Sequence, residues 1–515
     1  MVNTQTSFST FVFKIKINRW YLGFFLFASL GLWIIFKHFY PYPNIIFDSY
    51  YYISATVSNA DVNAWPIGYS KILRLIGWFS HSANLVLTIQ YFSLQLALLF
   101  IFFALRFFFQ LNKVISNILL LWMILNPVFI YISNLLLSDA FFTAFSLVWF
   151  TNLLWILFRP RPYMIITQAV LLLVTFSLRY NALYYPLVAT LAFILSQQKV
   201  YLKLAGIIFQ CIIIGGFITY TTDKMEKDYK VKQFSPFGGW KLANNALYMY
   251  EHTYGERKNA VPERFQGLDQ RIRSYFDHPH YRVSMWDPDV TWGSYYMYIH
   301  GSPLIQHMFS IYGPDAPNVN LNFDKFALMG PLYQEYGAYL IKKDPGAFVH
   351  YFVLPNTLRY FSPYAEVFVD SENSFDLRTD YLGQPAIKWF SLRTLATDKA
   401  YVSFRTSVFS FYPMLNTITH LFFVFSILMF FLFKTFSYTK ISIKHSVLVM
   451  ILLWLCDFLF SILAAVVVLR YQLFIISVEL MFALSLIQLI FQKEEQGKKP
   501  AFSTKVDQNG YCTAR

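Results

Sequence analysis

The sequence is poor in charged residues. They make up 14% of its 515 positions, whereas 56% are hydrophobic and 20% aromatic, and the mean hydropathy is +0.42. A soluble domain of this length needs more polar surface than this composition supplies. The composition therefore excludes an ordinary soluble protein and predicts a mainly α-helical chain that crosses a membrane several times.

Cysteine and glycosylation acceptors are also scarce. Only Cys211, Cys456 and Cys512 occur, and the sequence contains no Asn-x-Ser/Thr acceptor. The long polar stretch of the chain thus has no cysteine with which to form a disulfide. These absences favour a bacterial envelope over a eukaryotic secretory membrane. No phosphate-binding glycine loop, Ser-His-Asp spacing or nucleotide-binding fingerprint is found either.

Long apolar runs predict about ten membrane spans, at roughly 20 residues for each crossing. The runs are Trp20–Phe39, Leu85–Phe109, Ile115–Ile132, Ala140–Phe158, Tyr163–Leu178, Leu183–Ser196, Leu204–Thr221, Phe411–Phe433, Val447–Val468 and Leu473–Phe491.

Lysine and arginine in the short loops predict the orientation, because positive loops resist translocation. With a cytoplasmic N-terminus, basic residues such as Lys14, Arg106 and Lys434 fall inside. Both termini are then cytoplasmic, and residues 222–410 are extracytoplasmic. The net charge of +14 is explained by topology and by contact with anionic lipid, so the membrane is an expected partner and nucleic acid is not.

Composition shifts divide the chain into four parts. The parts are an N-terminal membrane module (1–221) with a long first outer loop (40–84), an extracytoplasmic domain (222–410), a three-span bundle (411–491) and a cytoplasmic tail (492–515) that is expected to be disordered. Helical spacing is present at residues 70–79, Phe323–Lys343 and Gly346–Tyr360. The pair Gly238-Gly239 allows a sharp turn, and the asparagines after it offer hydrogen bonds to a sugar. A structural turn, a helix cap and a substrate role are all left open for this segment.

Four charged residues, Asp48, Asp139, Arg179 and Arg470, fall on four different loops at the predicted outer surface. Ionisable groups at such positions are costly and need a reason. A pair of arginines suits a phosphate, because guanidinium donates in a bidentate fork. A carboxylate suits the removal of a proton from an attacking hydroxyl or amine. We therefore predict a catalytic site at this surface, with Asp48 or Asp139 as the base.

Each of these residues also has a structural explanation, which the sequence leaves open. Asp139 follows Ser138 at the start of an apolar run and could cap a helix. Arg179 and Arg470 could extend to the lipid headgroups.

Further candidates surround the four charged residues. Lys71 and Arg74 could assist Arg179 and Arg470 in binding a donor phosphate. Asp287-Pro288-Asp289 has the spacing of a metal-binding motif, but an ordinary loop is favoured, so no metal ligand is assigned and a divalent metal is left open as a cofactor. The candidate substrate-binding residues are Tyr50, Tyr51, Trp65, Tyr180, Tyr471 and Asn244.

Five short motifs occur in an order that resembles the bacterial GT-C membrane glycosyltransferases, which include protein O-mannosyltransferases and aminoarabinose transferases. The motifs are Asp48-Ser49-Tyr50-Tyr51-Tyr52, Trp65-Pro66-Ile67-Gly68-Tyr69, Ser138-Asp139-Ala140-Phe141-Phe142, Leu178-Arg179-Tyr180-Asn181 and Arg470-Tyr471.

The resemblance covers the seven N-terminal spans and the last span. It implies a GT-C fold and inverting transfer of a sugar from a polyprenyl-phosphate carrier to a glycan, lipid or protein acceptor outside the cytoplasmic membrane. Asp48 aligns with the acid that acts as base or orients the acceptor. The family often has a second acid next to the first, and here that position is Ser49.

Two other functions are weighed against this one. A transporter or lipid flippase would show pseudo-symmetric halves and broken helices near the bilayer midplane. A GT-C fold without catalysis would serve as a binding subunit. The sequence does not identify the sugar, the acceptor or the oligomeric state.

Overall fold

The computed structural model describes residues 6–256, 261–278, 293–298, 301–313, 323–369, 384–392, 399–464 and 467–498. Within these ranges the regular structure is helical, and the only β-type pairings are two isolated bridges. Eight helices in the same ranges are long and apolar enough to cross a membrane. The predicted helical, polytopic membrane protein is thus confirmed.

The N-terminal module consists of helices joined by short loops. They are α1 (Phe8–Lys14), α2 (Lys16–Phe39), α3 (Phe47–Ser58), α4 (Gly68–Gly77), α5 (Ala83–Phe108), α6 (Lys113–Leu125), α7 (Pro127–Ser133), α8 (Asp139–Phe158), α9 (Met164–Leu178), α10 (Tyr185–Leu195) and α11 (Val200–Tyr229). The predicted first-loop helix is present as α4, and α3 precedes it.

Two of the ten predicted spans are short. Helices α9 and α10 have 15 and 11 residues, so at 1.5 Å per residue they reach about 22 and 16 Å, less than the roughly 30 Å of a hydrocarbon core. A 3-10 segment, Tyr180–Tyr184, separates them, and Pro186 opens the first turn of α10. This break places Arg179 between two half-length helices.

The middle of the chain has a hydrophobic core of its own, running from Trp240 to Phe352. Its helices are α12 (Pro236–Thr253), α13 (Gln266–Asp277), α14 (Tyr295–Tyr298), α15 (Pro303–Tyr312), α16 (Phe323–Lys343) and α17 (Pro345–Phe348), followed by a π-helical turn, Val349–Val353. We call helices α12–α17 the middle module. The bounds predicted for Phe323–Lys343 are those of α16.

The turn considered at Gly238-Gly239 is absent, since both residues lie inside α12. The glycine serves helix packing instead. Gly239 meets the backbone of Gly330 on α16 so closely that a side chain would overlap the Gly330 carbonyl. Two glycines thus allow the central helices of the middle module to cross at short range.

The remaining helices complete the membrane body. They are α18 (Leu354–Phe361), α19 (Glu366–Val369), α20 (Gln384–Phe390), α21 (Lys399–Phe409), α22 (Tyr412–Leu432), α23 (Thr435–Tyr438), α24 (Ile441–Ala464) and α25 (Leu469–Lys498). Helix α25 packs on both α22 and α8, and α19 and α20 bury Phe368 and Phe390 in the core of the membrane body. The predicted tail begins inside α25, and its residues 499–515 lie outside the described ranges.

The loops whose lysines and arginines predict the orientation lie together at one end of the membrane body. Arg159 donates to the Thr6 carbonyl at 3.1 Å, and the Asn112 N–H donates to Gln488 at 2.7 Å, so the basic loops meet at one end. At the other end Lys37 donates to Asn134 at 3.0 Å. This asymmetry is the one from which the orientation is predicted.

Candidate functional site

Two isolated parallel bridges bring distant segments together at the end of the body opposite the basic loops. Asn44 pairs with Leu135, which sets the segment before Asp48 against the segment before Asp139. Tyr364 pairs with Val468, and the Leu469 N–H donates to the Tyr364 carbonyl at 2.8 Å. Glu366 and Arg470 each follow two residues later, so they emerge side by side.

Five charged side chains meet there: Asp48, Asp139, Arg179, Glu366 and Arg470, called the charged cluster below. Arg470 is central, with Nη1 2.8 Å from Asp48 Oδ2 and 3.9 Å from Asp139 Oδ2, and Nε 2.7 Å from Glu366 Oε1. Arg179 forms an ion pair with Asp139. The four charged residues selected from the sequence therefore do converge.

Helix starts position the carboxylates of the charged cluster. Asp48 is the second residue of α3, Asp139 the first of α8 and Glu366 the first of α19. Negative charge is favoured near a helix N-terminus, where backbone N–H groups lack helical partners. Each ionised carboxylate is thus stabilised by its own helix as well as by an arginine.

Aromatic and hydroxyl groups hold the charged cluster in place. The Tyr471 ring centroid lies 3.9 Å from the Arg179 guanidinium and 4.7 Å from that of Arg470, so one ring contacts both cations. Tyr52 OH and Ser138 Oγ are 3.0 Å apart and tie α3 to α8. Tyr471, predicted as a substrate residue, is here a spacer between the two arginines.

The two candidate bases, Asp48 and Asp139, differ in the solvent exposure of their side chains. The Asp139 side chain is 2% exposed, whereas Asp48 is 19% and Glu366 22% exposed. A base must reach the proton that it removes. Asp48 therefore fits the role better, and Asp139 fits that of a buried partner for Arg179.

The structural alternatives raised by the sequence find little support. Ser138 makes no side-chain cap hydrogen bond on α8, and Asp139 is ion-paired. Arg179 and Arg470 are only 11% and 10% exposed and turn toward carboxylates instead of headgroups. Ser49, at the position of the family's second acid, is buried and accepts the Ile46 N–H at 3.1 Å. Ser49 thus stabilises the start of α3.

Glu366 was missed by the sequence analysis. It lies in a four-residue helix within a polar stretch, and only the bridge from Tyr364 to Val468 brings it to Arg470. Burial raises the pKa of Glu366 to about 7, against the opposing attraction of Arg470. The carboxyl is thus poised to exchange a proton near neutral pH.

Glu366→Gln is expected to change the pH dependence of stability. Because the pKa of Glu366 is higher in the folded protein than its ordinary value, unfolding releases this proton between about pH 4.5 and 7, and wild-type stability falls as pH rises through that window. The glutamine variant does not lose this stability as pH rises. Its free energy of unfolding relative to that of wild type should therefore be higher at pH 8 than at pH 4.5, by at most about 3 kcal/mol. Thermal unfolding in detergent at both pH values measures the difference.

Glu335→Gln is the matched control, since Glu335 is half exposed and pairs with Arg264 at the surface of the middle module. Its replacement should give no gain in stability at pH 8 over pH 4.5, because it removes a surface ion pair and no buried carboxyl. A Glu366→Gln variant that likewise gains nothing at pH 8 would contradict the raised pKa.

Lys71 and Arg74 lie away from the charged cluster. Lys71 and Lys224 both bind Asp61, at 3.1 and 2.8 Å, and these hydrogen bonds, that of Lys224 above all, lower the pKa of Asp61. Arg74 donates to the Thr56 carbonyl at 3.1 Å, and Thr56 follows Asp48 by about 12 Å along α3. A part for either in phosphate binding stays a prediction.

The other predicted substrate residues are spread over the membrane body and the middle module, and Trp65 connects the two. The Trp65 ring lies between those of Tyr51 and Phe237, at 5.5 and 4.9 Å, and Tyr180 packs on Phe234 at 4.5 Å. Tyr50 is buried in the hydrophobic core of the membrane body. Asn244 is buried in α12 and donates to the Gly293 carbonyl at 2.9 Å. Their contact with a substrate remains a prediction.

A second polar group, also missed by the sequence analysis, lies inside the spans. His420 Nδ1 is 2.8 Å from Glu479 Oε2, and both side chains are fully buried. Nearby, Asp457 accepts from Tyr184 and Tyr360 at 2.8 and 2.9 Å. Because Tyr184 belongs to the 3-10 segment after Arg179, Asp457 helps to fix the break that positions this arginine.

The fold and the site together define a helical membrane protein with a cluster of ion-paired groups at one membrane surface. No protein-family model matches this chain, and comparison with curated proteins and with solved structures gave no match either. Among the described residues, no group of three or more His, Cys, Asp or Glu side chains is placed to hold a metal ion. Asp287 and Asp289 lie outside the described ranges.

Proposed function

We propose that this protein is a membrane glycosyltransferase of GT-C type that transfers a sugar from a polyprenyl-phosphate donor to an acceptor hydroxyl or amine. The observation that carries the proposal is the charged cluster, in which Arg179 and Arg470 lie beside the partly exposed Asp48, on loops of different spans at one membrane surface. A lipid-borne donor and a water-soluble acceptor can meet only at such a surface. The order of motifs that resembles this family adds support.

The proposed chemistry is a single in-line displacement. Asp48 takes the proton of the acceptor as its oxygen or nitrogen bonds to the anomeric carbon of the sugar. The bond from that carbon to the phosphate oxygen breaks, and its electron pair leaves with the polyprenyl phosphate. Arg179 and Arg470 face the phosphate as its negative charge grows, which stabilises the transition state. One displacement inverts the anomeric configuration.

The orientation proposed from the basic loops places the charged cluster and the middle module outside the cytoplasmic membrane of a bacterium. The middle module then stands next to the site, since Trp65 of the first outer loop contacts Phe237 of α12. We assign it to selection of the acceptor.

A proton-coupled transporter is the second candidate, favoured by the buried His420–Glu479 pair. Ionisable residues within spans often form proton relays. Glu479 lies nine residues after Arg470 on α25, about 14 Å deeper in the membrane body. The glycosyltransferase is preferred because the charged cluster is the more accessible of the two groups.

Reconstitution of the full chain in liposomes with a polyprenyl phosphate that carries a radiolabelled sugar tests the two functions. We expect label transfer to an added envelope extract, with one polyprenyl phosphate released for each sugar transferred. Movement of intact donor between leaflets would instead identify a transporter. Donor binding with neither outcome would leave a non-catalytic binding subunit.

A further inference from the structure

A cleft of about 680 Å³ opens between α2 and α6, far from the charged cluster. Lys16 and Lys113 stand at its entrance, and each is the first residue of its helix. The opposite ends of the two spans meet where Lys37 contacts Asn134. Since Lys16 and Lys37 are 21 residues apart on α2, the entrance of the cleft lies about 32 Å from that contact, at the end of the body that carries the basic loops.

The entrance of the cleft is positive. Both lysine side chains are exposed, and none of the described residues that line the cleft is acidic. Behind its wall the Arg106 guanidinium lies 4.7 Å from the Tyr21 ring centroid and adds a third positive charge. The N-termini of α2 and α6 contribute partial positive charge in the same place.

The walls of the cleft are polar near the entrance and apolar deeper down. Tyr21 OH donates to Asn117 Oδ1 at 2.8 Å and joins the two helices. Trp20, next to Tyr21 in the sequence, stacks at 5.1 Å on Phe24 one turn further along α2, with an interplanar angle of 3°, and Trp20 is 55% exposed. Leu121, 49% exposed, faces them from α6. Tryptophan and tyrosine at a span end are typical of the headgroup level.

We propose that this cleft binds one anionic phospholipid of the surrounding membrane. Its headgroup phosphate would lie between Lys16 and Lys113, and an acyl chain would run along Trp20, Phe24 and Leu121. The positive entrance favours an anionic headgroup over a neutral one. The exposed apolar wall favours a lipid with acyl chains over free phosphate. The site is distinct from that of the proposed donor, whose phosphate meets arginines at the opposite membrane surface, so it does not depend on the proposed function.

The test is native mass spectrometry of the full chain after exchange into an equimolar mixture of dioleoyl-phosphatidylglycerol and dioleoyl-phosphatidylcholine. Wild type should retain one phosphatidylglycerol with a preference of about tenfold or more, as expected for two lysines at an anionic headgroup. The double variant Lys16→Gln, Lys113→Gln should reduce that preference to about threefold or less. Trp20→Ala should weaken retention of both lipids.

Lys434→Gln with Lys440→Gln is the matched control, because these two lysines are also exposed and lie in a basic loop of the predicted cytoplasmic side but outside the cleft. The control should keep the wild-type preference. Equal loss in both double variants would mean that surface charge alone attracts the lipid, and would overturn the proposal. So would an unchanged preference in the Lys16, Lys113 variant. Unfolding temperatures in pure phosphatidylcholine verify that all variants are folded.

Discussion

Asp48→Asn is expected to lower the rate of sugar transfer by about 10²–10⁴, the usual effect of removing a positioned general base. The amide keeps the shape of the side chain and can still contact Arg470, 2.8 Å away in the wild type, so membrane insertion and donor binding should persist. Single-turnover transfer and donor binding, measured on the same preparation, separate the two effects.

Asp61→Asn is the matched control for this result. Asp61 belongs to the same first loop and also binds basic groups, but its partners are Lys71 and Lys224 instead of an arginine of the charged cluster. Its replacement should leave transfer within about twofold of wild type, because no step is routed through it. Unchanged transfer in Asp48→Asn would remove the central claim and favour the binding subunit.

Arg470→Ala is expected to destabilise the protein by about 3–5 kcal/mol, the cost of removing one partner from a buried ion pair. Arg470 contacts three carboxylates, and the alanine leaves Asp48 and Glu366 without their cation. Adding Glu366→Gln should restore part of the loss, since a neutral amide does not need that cation. Thermal unfolding in detergent measures both variants.

Arg470→Lys separates folding from phosphate binding. Lysine keeps the positive charge but loses the bidentate fork, so the variant should fold while donor binding weakens by about 1.5–3 kcal/mol. Arg264→Lys is the control, since Arg264 pairs with Glu335 at the surface of the middle module and has no proposed role in donor binding. Wild-type donor affinity in Arg470→Lys would refute the phosphate role of this arginine.

The sequence predicted best those features that a membrane requires of the residues themselves, such as apolar spans and few charges. Apolar length predicted the spans, and helical spacing gave the bounds of α16, because both depend on residues that are close in the chain. Asp48, Asp139, Arg179 and Arg470 were selected because charge at a span end is costly. They do converge, although their roles in catalysis are still predictions.

What the sequence could not provide was contact between distant segments. Glu366 reaches Arg470 through a bridge that joins Tyr364 to Val468, about a hundred residues later, and no local pattern encodes such pairing. His420 and Glu479 were overlooked because they lie on two different spans, and only the packing of α22 on α25 brings them together. The turn at Gly238-Gly239 failed for a similar reason, since only the partner helix shows that Gly239 meets Gly330.

The charged cluster holds two guanidiniums and three carboxylates, so with every group ionised it carries one excess negative charge. A donor phosphate would compete with these carboxylates for Arg470, and Glu366, with a pKa of about 7, can take up a proton as it gives way. Donor binding would then be linked to proton uptake and favoured at slightly acidic pH. Release of Asp48 from Arg470 would free its carboxylate to contact the acceptor only after the donor has arrived, which orders the two substrates.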